Sequence, residues 1–165
     1  MNETIGTYTF REMDEASARE IVSWQYDAPY DIYNCNPAEV EEIVQWFVNP
    51  QSHYYSVWTE AGKLIGYRCF GEDARVPGGD YSAEALDMGG GLSPERTGQG
   101  LGASFMEAAF EFARRRYRSV AFRATVAAFN QRALRVCERV GYRPIQHFEN
   151  AQTHQHFIVL MRESK

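Results

Sequence analysis

Apolar and polar positions alternate over residues 7–13, TYTFREM, which predicts a first strand. Residues 14–24 change to helical spacing, with Asp14 placed as an N-cap. Residues 25–36 are aromatic but without period, and Pro29 breaks them. A second helix is predicted over 37–48. Pro37 opens it, and Val40, Ile43, Val44 and Phe47 share one face at i, i+3, i+4 and i+7. Residues 53–71 hold two β-rich runs around Ala61-Gly62, the pattern of a hairpin. After a loop over 73–81, residues 82–92 (SAEALDMGGGL) predict a strand whose glycines mark a bulge or a close backbone approach.

The C-terminal half has clearer punctuation. Leu101, Phe105, Ala108 and Phe112 give a helix from 100 to 117, and 119–126 reads as a strand. Residues 130–140 form a further helix, with Asn130 as N-cap and Gly141 as its stop. Residues 142–149 and 153–162 close the chain as an antiparallel pair. No repeat, low-complexity tract or linker interrupts this order, so residues 1–165 are expected to form a single domain. At 165 residues and 44% hydrophobic composition, the chain can bury a real core.

Between the strand at 82–92 and the helix at 100–117 lies SPERTGQGLGASF, with three glycines in five positions. Glycine is used where a backbone must approach something closely or take a φ that a Cβ forbids. A Walker A loop would need a lysine, and none lies near. A dinucleotide fingerprint would need G-x-G-x-x-G after the first strand of a βαβ unit. Gly98, Gly100 and Gly102 are instead spaced G-x-G-x-G behind four predicted strands. Two options remain: a pyrophosphate held on a helix N-terminus, or a turn that only joins strand to helix.

A second segment, FNQRALRVCERVGYRPI, carries Asn130, Ala133, Cys137, Gly141 and Tyr142. Together with LSPERTGQGLG it resembles the GNAT family of acetyl-CoA-dependent N-acetyltransferases. Members show a strand ending in V-x-P, then R/Q-x-x-G-x-G/A, a helix, a strand, and N-x-x-A-x-x-x-Y-x-x-x-G-F/Y. The likeness is close in the last half of the chain, and in the first half it extends only to the order of elements. It implies an α/β (α+β) fold with a mixed, mostly antiparallel central sheet flanked by about four helices. It also implies acetyl transfer from acetyl-CoA to a primary amine by direct attack.

The same resemblance assigns residues. Thr97, Gly98, Gln99, Gly100, Leu101, Gly102 and Ala103 would hold the pyrophosphate through backbone amides. Leu92 and Ser93 would pair with the pantetheine arm, and an N–H near Leu92 would polarise the thioester. Asn130 would contact that arm as well as capping its helix. The amine must lose a proton before it attacks. Glu84 and Asp87 are the candidate acceptors of that proton, or else two surface acids; alternation puts them on opposite faces of the strand. Cys137 stands where the family usually has the Tyr that protonates the CoA thiolate. It is either that acid or a small buried helix residue.

Charge sharpens the picture. Residues 1–92 carry 16 acidic and five basic side chains, whereas 93–145 carry four acidic side chains and ten arginines. The basic half, including Arg96, Arg114, Arg115, Arg116, Arg132 and Arg135, is the one expected to meet an anionic nucleotide. On the acidic side, Trp24, Tyr26, Tyr30 and Tyr33 with Asp27 and Asp31 fit a lining for a cationic acceptor. A small amine, polyamine, aminoglycoside or protein N-terminus all remain open, and so does a homodimer. Net charge of −5 and the lack of RRM, KH or zinc-finger signatures argue against nucleic acid. Three scattered cysteines without metal-ligand spacing fit a reducing cytoplasm and no metal; no apolar run or secretory leader points to a membrane. The alternative class is a non-catalytic acyl-CoA-binding or sensing domain, favoured by Cys137 alone.

Overall fold

The computed structural model describes residues 2–118 and 121–163. Eight strands follow the order β1-β2-β3-β4-β5-β6-β8-β7 in a mixed, mostly antiparallel sheet, accompanied by four α-helices. The chain divides into two compact units: residues 2–69 with 90–99, and residues 70–89 with 100–163.

In the first unit, β1 (Asn2–Ile5) and β2 (Tyr8–Glu12) make a hairpin in which Ile5 faces Tyr8. The alternation rule finds β2 but not β1, whose four residues Asn-Glu-Thr-Ile include one buried apolar side chain. Strands β3 (Tyr54–Thr59) and β4 (Leu64–Phe70) continue the antiparallel ladder. Their turn is the expected one: Gly62 takes φ +79° and donates to the Thr59 carbonyl. Phe10, Val57 and Ile65 are buried along these strands.

Helix α1 (Glu15–Val22) starts where Asp14 accepts the Ser17 N–H at 2.7 Å. The predicted helix at 37–48 splits into a 3₁₀ turn, Pro37–Glu39, followed by α2 (Val40–Val48). Met13, Ala18, Ile21, Val22 and Val44 form a buried cluster, and each Ile or Val so buried contributes about 1.5–3 kcal/mol.

The second unit is built on α3 (Gly102–Tyr117) and α4 (Gln131–Arg139), with β6 (Ala121–Ala127), β7 (Arg143–Glu149) and β8 (His156–Glu163). β8 pairs antiparallel with both β6 and β7. Residues 119 and 120, which open the predicted strand at 119–126, lie outside the described residues. Phe110 packs between Phe122 and Tyr142, with ring centroids 4.9 and 5.6 Å away.

β5 (Leu86–Leu92) starts four residues later than the sequence suggests, so Glu84 lies before the strand rather than on it. Its parallel pairing with β6 is short: Leu86 opposes Phe122, and Asp87 opposes Arg123. The second of these pairs is also a buried ion pair. Arg123 Nε and Nη2 donate to the two oxygens of the Asp87 carboxylate at 2.7 Å each, and Arg75 Nε adds a third bond at 2.8 Å. Arg123 gives a further bond to the Ala83 carbonyl, and its ring-side face lies over Tyr81. Hydrogen bonding to Asp87 raises the Arg123 guanidinium above its ordinary pKa against the opposing effect of burial.

Removing one partner of a buried pair leaves the other charge uncompensated, at a cost of about 3–5 kcal/mol. Asp87→Ala should therefore lose that much stability in urea unfolding. A loss below about 1 kcal/mol would mean that Arg123 finds another acceptor.

Candidate functional site

The glycine-rich loop leads into a helix that, like α2, starts without a side-chain cap. α1 is capped by Asp14, and α4 by Asn130, which accepts the Ala133 N–H at 3.1 Å. α3 begins without a side-chain cap and without an acidic residue in its first turn, although at 16 residues it is the longest of the four. The first amides of a helix have no i−4 carbonyl by construction. Gly98 and Gly100 approach them at φ +72° and +77°, the left-handed region where a Cβ is strained. At Gly100 a Cβ would meet nothing within 4 Å, so its φ and not crowding calls for glycine.

Gly102 is different. A Cβ there would stand 2.6 Å from Val136 Cγ2, so this glycine serves the contact of α3 with α4. Arg132 and Arg135 share α4 with Val136. Arg114, Arg115 and Arg116 occupy the last turn of α3, roughly 18 Å along the axis from Gly102. Against expectation they stand far from the loop, where they offset the helix dipole, and Arg114 and Arg115 reach Glu111.

The loop holds itself together with its own polar groups. Thr97 Oγ1 donates to the Pro94 carbonyl at 2.9 Å, and Gln99 Nε2 donates to the Glu95 carbonyl at 2.5 Å. A threonine here closes the Pro94–Arg96 turn from within. Gly98, Gln99 and Gly100 are exposed, while Leu101, Gly102 and Ala103 are half-buried.

Just before the loop, the C-terminal end of β5 is stripped of side chains. Gly90 takes φ +144°, and a Cβ there would collide with the Tyr67 carbonyl oxygen of β4. At Gly91 a Cβ would meet the Tyr67 ring at 3.4 Å and the Tyr26 hydroxyl at 3.7 Å, both ordinary contacts. Ser93 N–H pairs with the Ile65 carbonyl at 2.8 Å. In an antiparallel ladder, successive residues point their backbone groups to opposite edges. The N–H and C=O of Leu92 therefore face the edge away from β4. Tyr26 takes that carbonyl, its hydroxyl donating to Leu92 O at 2.6 Å.

Tyr26 itself is fixed by Asn34, whose side chain accepts the Tyr26 N–H at 2.7 Å and donates to the Tyr26 carbonyl at 3.2 Å. Tyr67 lies among Trp24, Phe47 and Tyr54, with centroids 5.8–6.5 Å away, and burial pushes its phenol well above the usual tyrosine range. Of the aromatic residues marked by the sequence, Trp24 belongs to this cluster and Tyr26 to the strand edge. Tyr30 and Tyr33 lie on a 3₁₀ turn, with Tyr33 exposed; Asp27 and Asp31 are exposed too.

The two carboxylates separate sharply. Asp87 is 2% exposed and engaged by two guanidinium groups, whereas Glu84 is in solvent. Cys137 is 2% exposed on α4, on the face it shares with Val140. Sequence reasoning missed Arg75 and Arg123 as partners of Asp87, and it missed the bond from Tyr26 to Leu92. A buried-reading run, AFRATV, with one arginine inside it was the available signal for Arg123. Among the described residues, no helix is long and apolar enough to cross a membrane, and no group of three His, Cys, Asp or Glu could hold a metal ion.

A family model described as Acetyltransferase (GNAT) family matches residues 16–142. Solved structures share the fold at low identity. A GNAT-family acetyltransferase from Bacillus anthracis is 14% identical over 99% of this chain and 98% of its own, at a TM-score of 0.76. A spermidine N-acetyltransferase chimera from Vibrio cholerae and hSSAT is 17% identical over 96% of each chain, at 0.73. AAC(6')-Ib in complex with ribostamycin and coenzyme A is 16% identical over 96% of this chain and 94% of its own, also at 0.73. No curated protein matches the sequence.

The two strand glycines give a direct contrast. Gly90→Ala must push backbone against backbone and should lower stability by roughly 1–3 kcal/mol. Gly91→Ala, with an ordinary contact to a ring edge, should stay within about 1 kcal/mol. Thermal unfolding of the two variants side by side checks the difference.

Proposed function

The chain belongs to the GNAT family of acetyltransferases, and from that premise we propose that it moves an acetyl group from acetyl-CoA to a primary amine by direct attack. The observation that carries this is the start of α3: an uncapped helix N-terminus, entered through two left-handed glycines, with Arg132 and Arg135 on the helix packed against it. Such a cradle suits a pyrophosphate, because first-turn amides and the helix dipole both favour an anion. A structural neighbour solved with coenzyme A supports the choice of ligand.

Acetyl-CoA supplies the acyl thioester. The amides of Thr97 to Ala103 would hold its diphosphate, and the bare edge of β5 at Leu92 and Ser93 would receive its pantetheine arm. The Leu92 N–H faces the edge away from β4 and is the donor suited to a thioester oxygen. Asn130, whose Oδ1 caps α4, would also contact the arm.

An incoming ammonium must give up a proton before attack. Glu84 is the better of the two carboxylates for this, directly or through water, because it is solvated while Asp87 is held by Arg75 and Arg123. Cys137 is buried and suits the helix core, so the departing thiolate takes its proton from solvent. The neighbours named for spermidine and ribostamycin favour an amine-bearing small molecule; a protein N-terminus is the other acceptor considered. We place the reaction in the cytoplasm. The rival class, an acyl-CoA sensor without turnover, is distinguished by thiol release.

Calorimetry with acetyl-CoA and release of free CoA thiol in a panel of spermidine, ribostamycin, phenethylamine and an alanine-initiated peptide test the function together. Binding with no thiol release from any amine would favour the sensor. Gly100→Val should fold and lose acetyl-CoA binding, since a β-branched residue is strained at φ +77° and must move the loop. Unchanged affinity would remove the loop from the site. Glu84→Gln should lower kcat and alter the acid limb of the pH–rate profile. Cys137→Ala should keep most of its activity; a loss of about 10² in kcat at a normal melting temperature would restore it as the acid.

A further inference from the structure

We infer that the sheet face shared by β1, β2 and β3 carries an oxyanion-binding subsite, where the Arg11 guanidinium takes a carboxylate or phosphate group. The subsite is independent of the acetyl-transfer reaction. Alternation and register place Asn2 and Thr4 of β1, Thr9 and Arg11 of β2, and Ser56 and Trp58 of β3 on one face. Arg11 is the charged group among them. Glu3 and Glu12, the acids of the hairpin strands, alternate onto the opposite face with Phe10.

Arg11 is held in place by its neighbours. Its guanidinium carbon lies 4.3 Å from the centroid of the Trp58 ring. Trp58 Nε1 donates to Ser56 Oγ at 2.9 Å, and that hydroxyl donates to the Arg11 carbonyl at 3.5 Å. Indole, hydroxyl and arginine thus fix one another in a closed circuit. Arg11 Nε is buried without a hydrogen-bond partner. Among the described residues no carboxylate pairs with Arg11, whereas Arg19 in the same unit reaches both Glu15 and Glu41.

A guanidinium only donates, and its planar fork matches two oxygens of a carboxylate or phosphate. Stacking on the indole uses the flat face of the guanidinium, and hydrogen bonding uses its N–H edge, so the two contacts do not compete. Buried Nε is out of reach, and an anion meets the Nη1 and Nη2 end. The stack and the buried Nε have already drawn part of the group out of water, so an arriving charge is less screened than at a fully solvated arginine. Neutral donors stand beside it. The Thr4 and Thr9 hydroxyls are bonded to each other at 3.1 Å, which uses one of their two protons and leaves the other to donate. Asn2, directly opposite Arg11, adds an amide.

The probes are inorganic phosphate and acetate, each titrated at constant ionic strength against sodium chloride. The readout is the indole N–H resonance of Trp58, assigned by its loss in Trp58→Phe. A saturable shift is expected with at least one probe, and the tighter of the two names the group. Arg11→Met keeps an apolar stem over the indole and should weaken binding about tenfold or more, the usual effect of losing a charged hydrogen bond. Arg11→Lys keeps the charge without the fork and should weaken it less. Gly100→Val should leave the Trp58 response intact, which separates it from phosphate bound at the start of α3. No saturable shift in the wild-type protein overturns the inference, as does an equal shift with chloride or an unchanged affinity in Arg11→Met. If Arg11→Met does not fold, the wild-type titration and Arg11→Lys decide: an affinity unchanged in Arg11→Lys overturns the fork.

Discussion

Asp87 and Arg123 sit directly opposite each other on two parallel strands, and each is almost wholly removed from solvent. A charged pair in that position is expensive to desolvate, and an apolar pair of similar volume would give equal or greater stability. What the ions add is register. A bidentate fork fits in one alignment only, and a slip of one residue would bury both charges unpaired. Because β5 and β6 pair over only two residues, little else fixes how they meet. The loop at 71–85 is tied to the same point: Gly71 N–H donates to the Asp87 carbonyl, Arg75 to its side chain, and Arg123 to the Ala83 carbonyl.

β5 therefore has two halves with opposite character. Its first half carries the densest polar network of the second unit. Its second half is Gly90-Gly91-Leu92, with no large side chain before Leu92 and with the backbone groups of Leu92 directed away from β4. Two guanidinium groups, from Arg75 and Arg123, already satisfy the Asp87 carboxylate.

The loop that follows obeys similar logic. An exposed run of glycine is entropically costly to order, and here its cost is offset by internal bonds from Thr97 and Gln99 and by the packing of Gly102 on Val136. The arginines of the C-terminal half are only partly enlisted: those on α4 share a helix with Val136, and those at the end of α3 serve the helix itself.

Local features were legible in the residues. Asp14, Asn130 and Gly141 mark helix ends through contacts within a turn, Gly62 marks a hairpin, and the period of apolar positions marks each helix. The glycine loop and the segment from Asn130 to Tyr142 pointed to the family because a glycine-rich turn and a capped helix are written in consecutive positions. Where the signal was thin, reading failed: β1 is too short and polar to alternate visibly, and β5 could not be bounded at Leu86. Only the tertiary structure decided which carboxylate is occupied and which tyrosine reaches the end of β5. Asp87 meets Arg123 across 36 residues, and Tyr26 meets Leu92 across 66. Caps, turns and periods are enforced by neighbours along the chain and so are written there. Ion pairs and a hydroxyl on a distant carbonyl depend on which strands become adjacent, and that is settled by burying the whole sheet at once.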